Sequence, residues 1–472
     1  MTNQKHLKRL KKGKEGWNTW RSQNLLTRPD LSGADLSGAD LSGAELMGTD
    51  LMGADLSGAD LSGAELMGAD LSRANLKRAD LSRATIKRAR LWEADLTWAN
   101  LTSANLFNAD FREAYLVYTN LSKANLTLAN LQEVDLRYAN LNEAILDRAV
   151  LTLADLREAK LRHANLSKAI LDRAKFFKAD LRDADLRDAD LSLANLRNAI
   201  LDRATLDRAT LRETDLSAAT LREANLSGAN LFNADFSGAD LSEANLSTAT
   251  LIETNLASAT LSNCRVYGTS VWKIKLQKTI QENLIITPDS EAIITVDTLE
   301  VAQFLYLLVN NPSIRQVIDT IAKKAVLILG RFTPERKAIL EFLRDELRSR
   351  GYVPILFDFQ KPDSKDLTET VSILAHLSRF VLVDLTDPNS APYEVATIAD
   401  NCITPLQPLV LDSKHEFAMF ADLQRRYHWV LPTYRYKDAD DLRAALDAKI
   451  IAPAEQKAQD LMPPQPIRRN QI

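Results

Sequence analysis

The chain from Leu31 to Leu261 repeats one pattern of hydrophobic and polar positions with a period of five residues. A large apolar residue occupies every fifth position, giving 47 units without an insertion. This residue is Leu except at Ile86, Phe111, Phe176 and Phe236. Two positions before it, from residue 34 onward, stands Ala, replaced only by Thr49, Thr119, Val134, Thr214, Thr254 and, after the last Leu, Cys264. Asp or Asn lies between the two in most units, so the consensus reads Ala, Asp or Asn, Leu, X, X.

A period of five fits neither the 3.6-residue period of a helix nor the two-residue period of a strand. The chain must therefore turn once in each unit, so that the Leu and Ala side chains can point to a common axis. Such a coil fills its interior with one large and one small side chain per unit, and neighbouring coils stack about 4.8 Å apart. The pattern predicts a β-solenoid.

The consensus resembles that of the pentapeptide-repeat family, and the resemblance covers roughly half of the chain. It implies a right-handed, quadrilateral β-helix with four units per coil, hence about twelve coils and a rod about 55 Å long. An open solenoid end would expose the core and unpaired edges. The segment 17–30 is therefore expected to cap the first coil.

Four units per coil would stack residues that are twenty positions apart into columns along the rod. One column is aromatic and consists of Trp98, Tyr118 and Tyr138; another, one unit back on the adjacent face, is acidic and consists of Glu93, Glu113 and Glu133. Four arginines at successive units would girdle one coil: Arg73, Arg78, Arg83 and Arg88. An exposed apolar column suits a protein partner, whereas stacked rings can also serve stability alone. Stacked like charges are mildly destabilising unless something binds them, and all these columns could equally be solvated surface.

The pattern changes after the repeat. We divide the chain into a basic N-terminal segment and cap (1–30), the solenoid (31–271), a solenoid exit with a helical connector (272–324), an α/β domain (325–451) and a disordered tail (452–472). Between 325 and 451, short apolar runs alternate with amphipathic helices, which predicts a parallel sheet wrapped by helices. Ligands of such sheets bind at the carboxyl ends of the strands.

The segments LILGRFTPERKAILEFLRDELRSRGY and VLVDLTDPNSAPYEVA resemble Toll/interleukin-1 receptor (TIR)-like domains and the related nucleoside deoxyribosyltransferase-like domains. The resemblance implies a flavodoxin/TIR-like fold in which Glu394 works at the ribose carbon of a nucleoside or NAD. It also implies a nucleotide pocket lined by Arg331, Phe332, Asp384 and Ser390. Two departures put catalysis in doubt. The chain reads Tyr-Glu-Val-Ala where many relatives read Tyr-Glu-Leu-Gly, and its first strand ends in Gly-Arg-Phe instead of a Ser-containing loop.

Composition excludes several other functions. With 59 Lys and Arg against 63 Asp and Glu, the chain is nearly neutral, and a role in holding nucleic acid is not expected. The five histidines are scattered, so no metal site is predicted. Two cysteines give no disulfide framework, and no apolar run is long enough for a signal peptide or a membrane span. We expect a cytoplasmic protein.

Two functional hypotheses of different class remain. In the first, the rod binds a protein partner and the TIR-like domain acts by self-association or by recognising an NAD-type nucleotide. In the second, the C-terminal domain is an NAD or nucleoside N-glycosidase that uses Glu394 and is switched on by partner sensing or clustering. NAD would then be a substrate, and no cofactor is required. Imitation of duplex DNA at gyrase, known in some pentapeptide-repeat proteins, is less favoured, because basic residues interrupt most faces after residue 73.

Overall fold

A computed structural model describes residues 3–288, 293–311, 313–314, 324–330, 333–358, 367–386, 395–396, 398–400, 402–414 and 418–461. The chain divides into two compact units, Met1–Leu307 and Leu308–Ile472. The first unit is a solenoid with a cap at each end. The second is built around a parallel sheet.

Each five-residue unit of the solenoid makes one turn of the backbone. In the unit that begins at Leu121, the Ala124 N–H donates to the Leu121 carbonyl at 3.0 Å, and Lys123 between them has a φ of 60°. Positive φ at the third residue alone defines a type II turn. The Leu121 N–H then donates to the Asn140 carbonyl at 2.7 Å in the next coil, and the Asn140 N–H donates to the Thr119 carbonyl at 2.9 Å.

Parallel bridges join residues twenty positions apart throughout the rod, from Asp30 and Asp50 to Arg265 and Ile285. Each coil therefore consists of four units, and the predicted β-solenoid is confirmed. The apolar residues at every fifth position from Leu31 to Leu261 are 0–2 % exposed, and Phe111, the largest kind of residue among them, is fully buried. One Leu and one Ala per unit fill the interior, as the pattern predicted.

The regular spacing of Asp and Asn along the rod has a local cause. Asp35 is typical, because its carboxylate accepts from the Ser37 N–H at 3.1 Å and from the Ser37 hydroxyl at 2.8 Å. A short side chain that bonds to the backbone two residues on holds the chain in a turn. Asn serves as well as Asp, as in the bond from the Thr127 N–H to Asn125 at 3.1 Å.

Residues that replace Ala inside the rod follow a second rule. The hydroxyls of Thr119, Thr214 and Thr254 each donate to the main-chain carbonyl 23 residues earlier, at 2.8, 2.8 and 2.9 Å. The Cys264 thiol does the same at 3.0 Å. In these four residues the buried polar atom is thus satisfied by the coil below it.

Two helices cap the N-terminal end of the rod: α1 (Gln4–Leu10) and α2 (Lys14–Gln23). Trp17 is fully buried, and its indole N–H donates to the Glu45 carbonyl at 2.9 Å. The guanidinium of Arg21 donates to two main-chain carbonyls at 2.8 Å each. The cap therefore satisfies edge carbonyls as predicted, but it begins before residue 17.

At the other end the coil continues beyond residue 271, where the sequence pattern had faded. The strands are β1 (Thr250–Ile252), β2 (Thr260–Ser262), β3 (Ser270–Trp272), β4 (Ile280–Glu282), β5 (Leu284–Ile285) and β6 (Thr295–Val296). β3 pairs with β1 and β4 with β2, parallel, whereas β6 pairs with β5 antiparallel. Helix α3 (Leu299–Asn310) follows, and its Leu299 and Ala302 are buried against the rod core.

The second unit holds five parallel strands: β7 (Ala325–Gly330), β8 (Val353–Asp358), β9 (Phe380–Asp384), β10 (Leu406–Leu411) and β11 (Tyr434–Tyr436). Their spatial order is β11-β10-β9-β7-β8. Among the described residues, the helices with defined bounds are α4 (Pro334–Ser349), α5 (Leu367–His376), α6 (Ala418–Arg426), α7 (Ala439–Ala445), a π-helical turn (Leu446–Ile451) and α8 (Ala452–Asp460). The alternation predicted such a parallel sheet.

Helix α8 lies where the sequence predicts a disordered tail. Ala454 and Ala458 are buried, and Glu455 accepts from Arg379 at 3.0 Å and from the Tyr352 hydroxyl at 3.1 Å. The first part of the predicted tail is therefore a packed helix, and residues 462–472 lie outside the described part of the chain. Across the ranges that the structure describes, no helix has both the length and the apolar character needed to span a bilayer.

Candidate functional site

The predicted aromatic column forms a continuous stack on one corner of the rod. The rings of Trp98 and Tyr118 have centroids 4.2 Å apart and planes 8° apart, and those of Tyr118 and Tyr138 are 4.8 Å and 9° apart. We call these three residues the ladder. Each is the third residue of its unit, with φ of 64°, 59° and 61°, so each side chain leaves the rod at a turn.

The ladder is exposed as well as ordered. Trp98 is 56 % exposed, Tyr118 43 % and Tyr138 41 %. Because the rings cover one another's faces, their outward edges supply the surface that remains. A stack of this kind holds its side chains in one conformation, which lowers the entropy that binding would remove.

Paired polar residues flank the ladder on both sides. On one side, Arg137 lies 2.7 Å from Asp135. On the other side, the Asn140 side-chain N–H donates to the Asn120 side-chain oxygen at 3.0 Å. These internal pairs leave little unpaired charge beside the Tyr118 and Tyr138 rings, so this stretch of the corner can lose water at modest cost.

The acidic column has internal partners. Glu93 lies 2.8 Å from Arg73, whose guanidinium also stacks 4.5 Å above the Trp92 ring. Glu113 accepts from the Trp92 indole N–H at 3.4 Å, and Glu133 accepts from the Gln132 amide at 3.1 Å. These contacts give Glu93, Glu113 and Glu133 a role within the rod.

In the second unit, Asp384 is enclosed at the carboxyl end of β9. Arg336 contacts one carboxylate oxygen at 2.7 and 2.8 Å, and the Thr386 hydroxyl donates to the other at 2.6 Å. Arg336 also donates to the Tyr436 hydroxyl. Burial lowers the pKa of Arg336, but the charge of Asp384 and the hydrogen bonds to Asp384 and Tyr436 outweigh it and leave that pKa above its usual value. All four side chains are 1–8 % exposed.

Gly330 ends the neighbouring strand β7 and is fixed by this packing. A Cβ on Gly330 would lie 2.9 Å from the side chain of Leu340 and 3.4 Å from Asp384. The cluster thus ties helix α4 to two strand ends. The other predicted residues of this region, Glu394, Arg331, Phe332 and Ser390, lie outside the described residues.

Sequence reasoning missed one close pair of reactive side chains. The Cys402 thiol lies 3.1 Å from Nδ1 of His376 and 3.3 Å from the Ser372 hydroxyl. Burial raises the pKa of the Cys402 thiol, which favours the protonated form. His376 ends helix α5 and Cys402 lies in a loop 26 positions later, so no regular spacing in the sequence indicates that they meet. In the part of the chain with described positions, no group of His, Cys, Asp and Glu could hold a metal ion.

The family described as pentapeptide repeats matches residues 30–66, 64–102, 104–142, 129–166, 154–192, 189–228 and 229–266, together half of the chain. The chain belongs to the pentapeptide-repeat family. A comparison with curated proteins gives no match.

Among solved structures, the chain is similar to HetL, a pentapeptide repeat protein involved in heterocyst differentiation regulation from the cyanobacterium Nostoc sp. strain PCC 7120. The identity is 36 %, the match covers 43 % of this chain and 92 % of HetL, and the TM-score is 0.28. It is also similar to Rfr23 of the cyanobacterium Cyanothece 51142, with 40 % identity over 21 % of this chain and 63 % of that one and a TM-score of 0.17. The fluoroquinolone resistance protein QnrB1 matches at 16 % identity over 46 % of this chain and 88 % of its own, with a TM-score of 0.20.

Proposed function

We propose that the rod is a protein-binding module and that the ladder of Trp98, Tyr118 and Tyr138 is its contact surface. The observation that supports this is the exposure of three stacked rings, each more than 40 % accessible. Tyr and Trp dominate the energy of many protein interfaces. Contiguous exposed apolar patches often mark protein–protein interaction sites.

The test replaces all three ladder residues with Ser. Ser103 and Ser258 already occupy the same turn position with φ of 58°, so the coils should form normally. The purified full-length wild type and variants are compared by cross-linking in cell extract and mass spectrometry of the captured proteins. A matched control, Leu128→Ser with Leu153→Ser, removes two apolar side chains of similar exposure, 42 % and 40 %, from other corners.

The expected result is loss of capture in the ladder variant and unchanged capture in the control. Circular dichroism should show equal folding of the three proteins. Capture that survives in the ladder variant would reduce the ladder to a packing feature.

For the second unit we propose a TIR-like domain that acts by self-association or by recognition of an NAD-type nucleotide in the cytoplasm. The strand order supports this proposal, because numbering the five strands along the chain gives 2-1-3-4-5, the order of flavodoxin-like sheets. Ligands of such sheets bind where the order reverses, here between the carboxyl ends of β7 and β9. Asp384 is at that place, although its carboxylate already binds Arg336.

The alternative is an NAD or nucleoside N-glycosidase in which Glu394 is the catalytic carboxylate and Arg331, Phe332 and Ser390 line the pocket. It is favoured by the position of these residues in the two segments that follow β7 and β9 in the sequence. Cleavage of an N-glycosidic bond develops positive charge at the ribose carbon, which a nearby carboxylate stabilises.

Incubation with NAD separates the two proposals for this domain. The full chain is assayed alone and after antibody-induced clustering, beside a Glu394→Ala variant. Turnover in the wild type alone supports the glycosidase, and equal turnover in both proteins would eliminate Glu394 as the catalyst. Absence of turnover in every condition favours binding.

Imitation of DNA is the least supported hypothesis. Along the later coils, basic side chains pair with the acids at short range, as in Arg157 with Asp155 at 2.6 Å and Arg187 with Asp185 at 2.5 Å. Such pairing replaces the continuous acidic surface that mimicry of a duplex would need.

A further inference from the structure

The column that carries the ladder continues with opposite charges at its two ends. In steps of twenty residues it reads Arg78, Trp98, Tyr118, Tyr138, Glu158. Arg78 and Glu158 therefore lie two coils away from Tyr118 in opposite directions, each about 10 Å from it. Both are exposed, and within the described chain neither forms an ion pair.

The neighbouring column across the corner has the same symmetry. It reads Asp80, Asn100, Asn120, Asn140, Lys160, with Asn120 beside Tyr118 at the centre. Lys160 is exposed and forms no ion pair with any residue that the structure describes. The asparagine amides between the charges can each donate and accept, so this column too can face a copy of itself.

We propose that a second copy of this chain docks on the ladder corner in antiparallel orientation, related by a two-fold axis that passes between the two Tyr118 rings. This inference rests on the proposed function of the corner as a protein-binding surface and names its partner. In a two-fold interface, residue i of one copy meets residue j of the other and the reverse. Equal spacing about Tyr118 brings Arg78 of each copy to Glu158 of the other, and Asp80 of each copy to Lys160 of the other.

The charge order selects the antiparallel arrangement. If the rods lay parallel, Arg78 would face Arg78 and Glu158 would face Glu158, and like charges across an interface are unfavourable. In the antiparallel arrangement Tyr118 meets its own counterpart, and Trp98 of each copy meets Tyr138 of the other. Aromatic residues thus occupy the centre and ion pairs the ends, which is the usual anatomy of a specific contact.

One flanking column places like charges opposite each other, and the structure shows how they are neutralised. Lys77 and Arg157 would face each other across the axis, on either side of Val117. Lys77 lies 3.0 Å from Asp95, and Arg157 lies 2.6 Å from Asp155. Each cation therefore carries its own carboxylate, and this column adds little repulsion.

The contact is narrow, since it uses one corner of the rod over about five coils. Such an interface lies at the lower end of the size range of specific complexes. We expect a dissociation constant on the order of micromolar.

The experiment is sedimentation velocity of the full chain at protein concentrations from roughly 1 to 200 μM, a range that brackets the expected constant. Wild type should shift from monomer to dimer. Arg78→Glu and Glu158→Arg should each raise the dissociation constant roughly tenfold or more, because each places two like-charged pairs in the interface. The control Arg88→Glu changes the same turn position on the opposite corner and should leave the dimer intact.

Mixing the two variants gives the decisive readout. Arg78→Glu carries two acids at these positions and Glu158→Arg carries two bases, so an equimolar mixture should form a heterodimer with both pairs complementary. Dimer in the mixture at concentrations where each variant alone is monomeric supports the proposal. A wild type that stays monomeric, a dimer insensitive to Arg78→Glu, or a mixture that stays monomeric each overturns it.

The same proteins separate this inference from the proposed function. If wild type is monomeric but the ladder still captures a different protein, the binding function stands and the second copy is excluded as partner. If replacing the ladder with Ser alters neither capture nor dimerisation, both proposals fail.

Discussion

Two threonines at the same position of the repeat should respond with opposite sign to the same substitution. Thr49 and Thr119 both replace the small interior Ala and are both fully buried. The Thr119 hydroxyl donates to the Leu96 carbonyl at 2.8 Å. The Thr49 hydroxyl has no hydrogen-bond partner among the residues that the structure places. The position 23 residues before Thr49 is Leu26, which lies in the segment between the cap helix α2 and the first coil.

The perturbation is Thr→Val at each site. Val134 fills the equivalent position and is fully buried, so the side chain fits the rod. Thr119→Val loses one hydrogen bond, and the Leu96 carbonyl keeps its bond from the Ala99 N–H at 2.9 Å. The cost should be about 1 kcal/mol. Thr49→Val removes a buried hydroxyl that bonds to none of the described residues and should stabilise the rod by about 1–2 kcal/mol.

The assay is urea unfolding of the full chain followed by circular dichroism, with amide hydrogen exchange to assign each change to its coils. The two variants should differ by about 2–3 kcal/mol in free energy of unfolding, with midpoints that move in opposite directions. Because both sites share one backbone geometry, the difference in conformational propensity between Thr and Val affects the two variants equally and cancels when they are compared. Equal destabilisation by the two substitutions would refute the assignment of these hydroxyls.

Three further predictions concern pH, turns and the buried ion pair. The hydroxyl and N–H of Ser42 lower the pKa of Asp40, so this carboxylate and others like it stabilise the fold above about pH 4. The melting temperature should therefore fall as the pH drops below that value. A rise in melting temperature would contradict the hydrogen bonding in the turns. Gly53→Ala should lower the free energy of unfolding by about 1 kcal/mol because φ at Gly53 is 63°. Gly16→Ala in helix α2 should instead raise it by up to about 1 kcal/mol. Equal effects of the two substitutions in thermal melts would refute the turn strain. Arg336→Met should destabilise the second unit by about 3–5 kcal/mol because it leaves Asp384 buried without its cation. Adding Asp384→Asn should recover part of this loss, measured by denaturant unfolding. No recovery would contradict the pairing of Arg336 with Asp384.

The sequence alone determined the solenoid because every contact in it recurs at a fixed separation. Backbone bonds link residues 19 or 21 positions apart, as in Leu121 with Asn140 and Asn140 with Thr119. A regular sequence separation makes spatial neighbours readable from the period. The ladder of Trp98, Tyr118 and Tyr138 could therefore be predicted as a stack from the sequence alone.

The tertiary structure decided everything whose partners lie at irregular separations. Arg336 reaches Asp384 across 48 positions and Tyr436 across 100, and Glu455 reaches Arg379 across 76. No sequence period marks such pairs, so the pairing of Asp384 with Arg336 and the packing of helix α8 are seen only in the tertiary structure. Within the rod, the same limit applies to Thr49, whose hydroxyl has no partner among the described residues because the cap stands where the preceding coil would supply one.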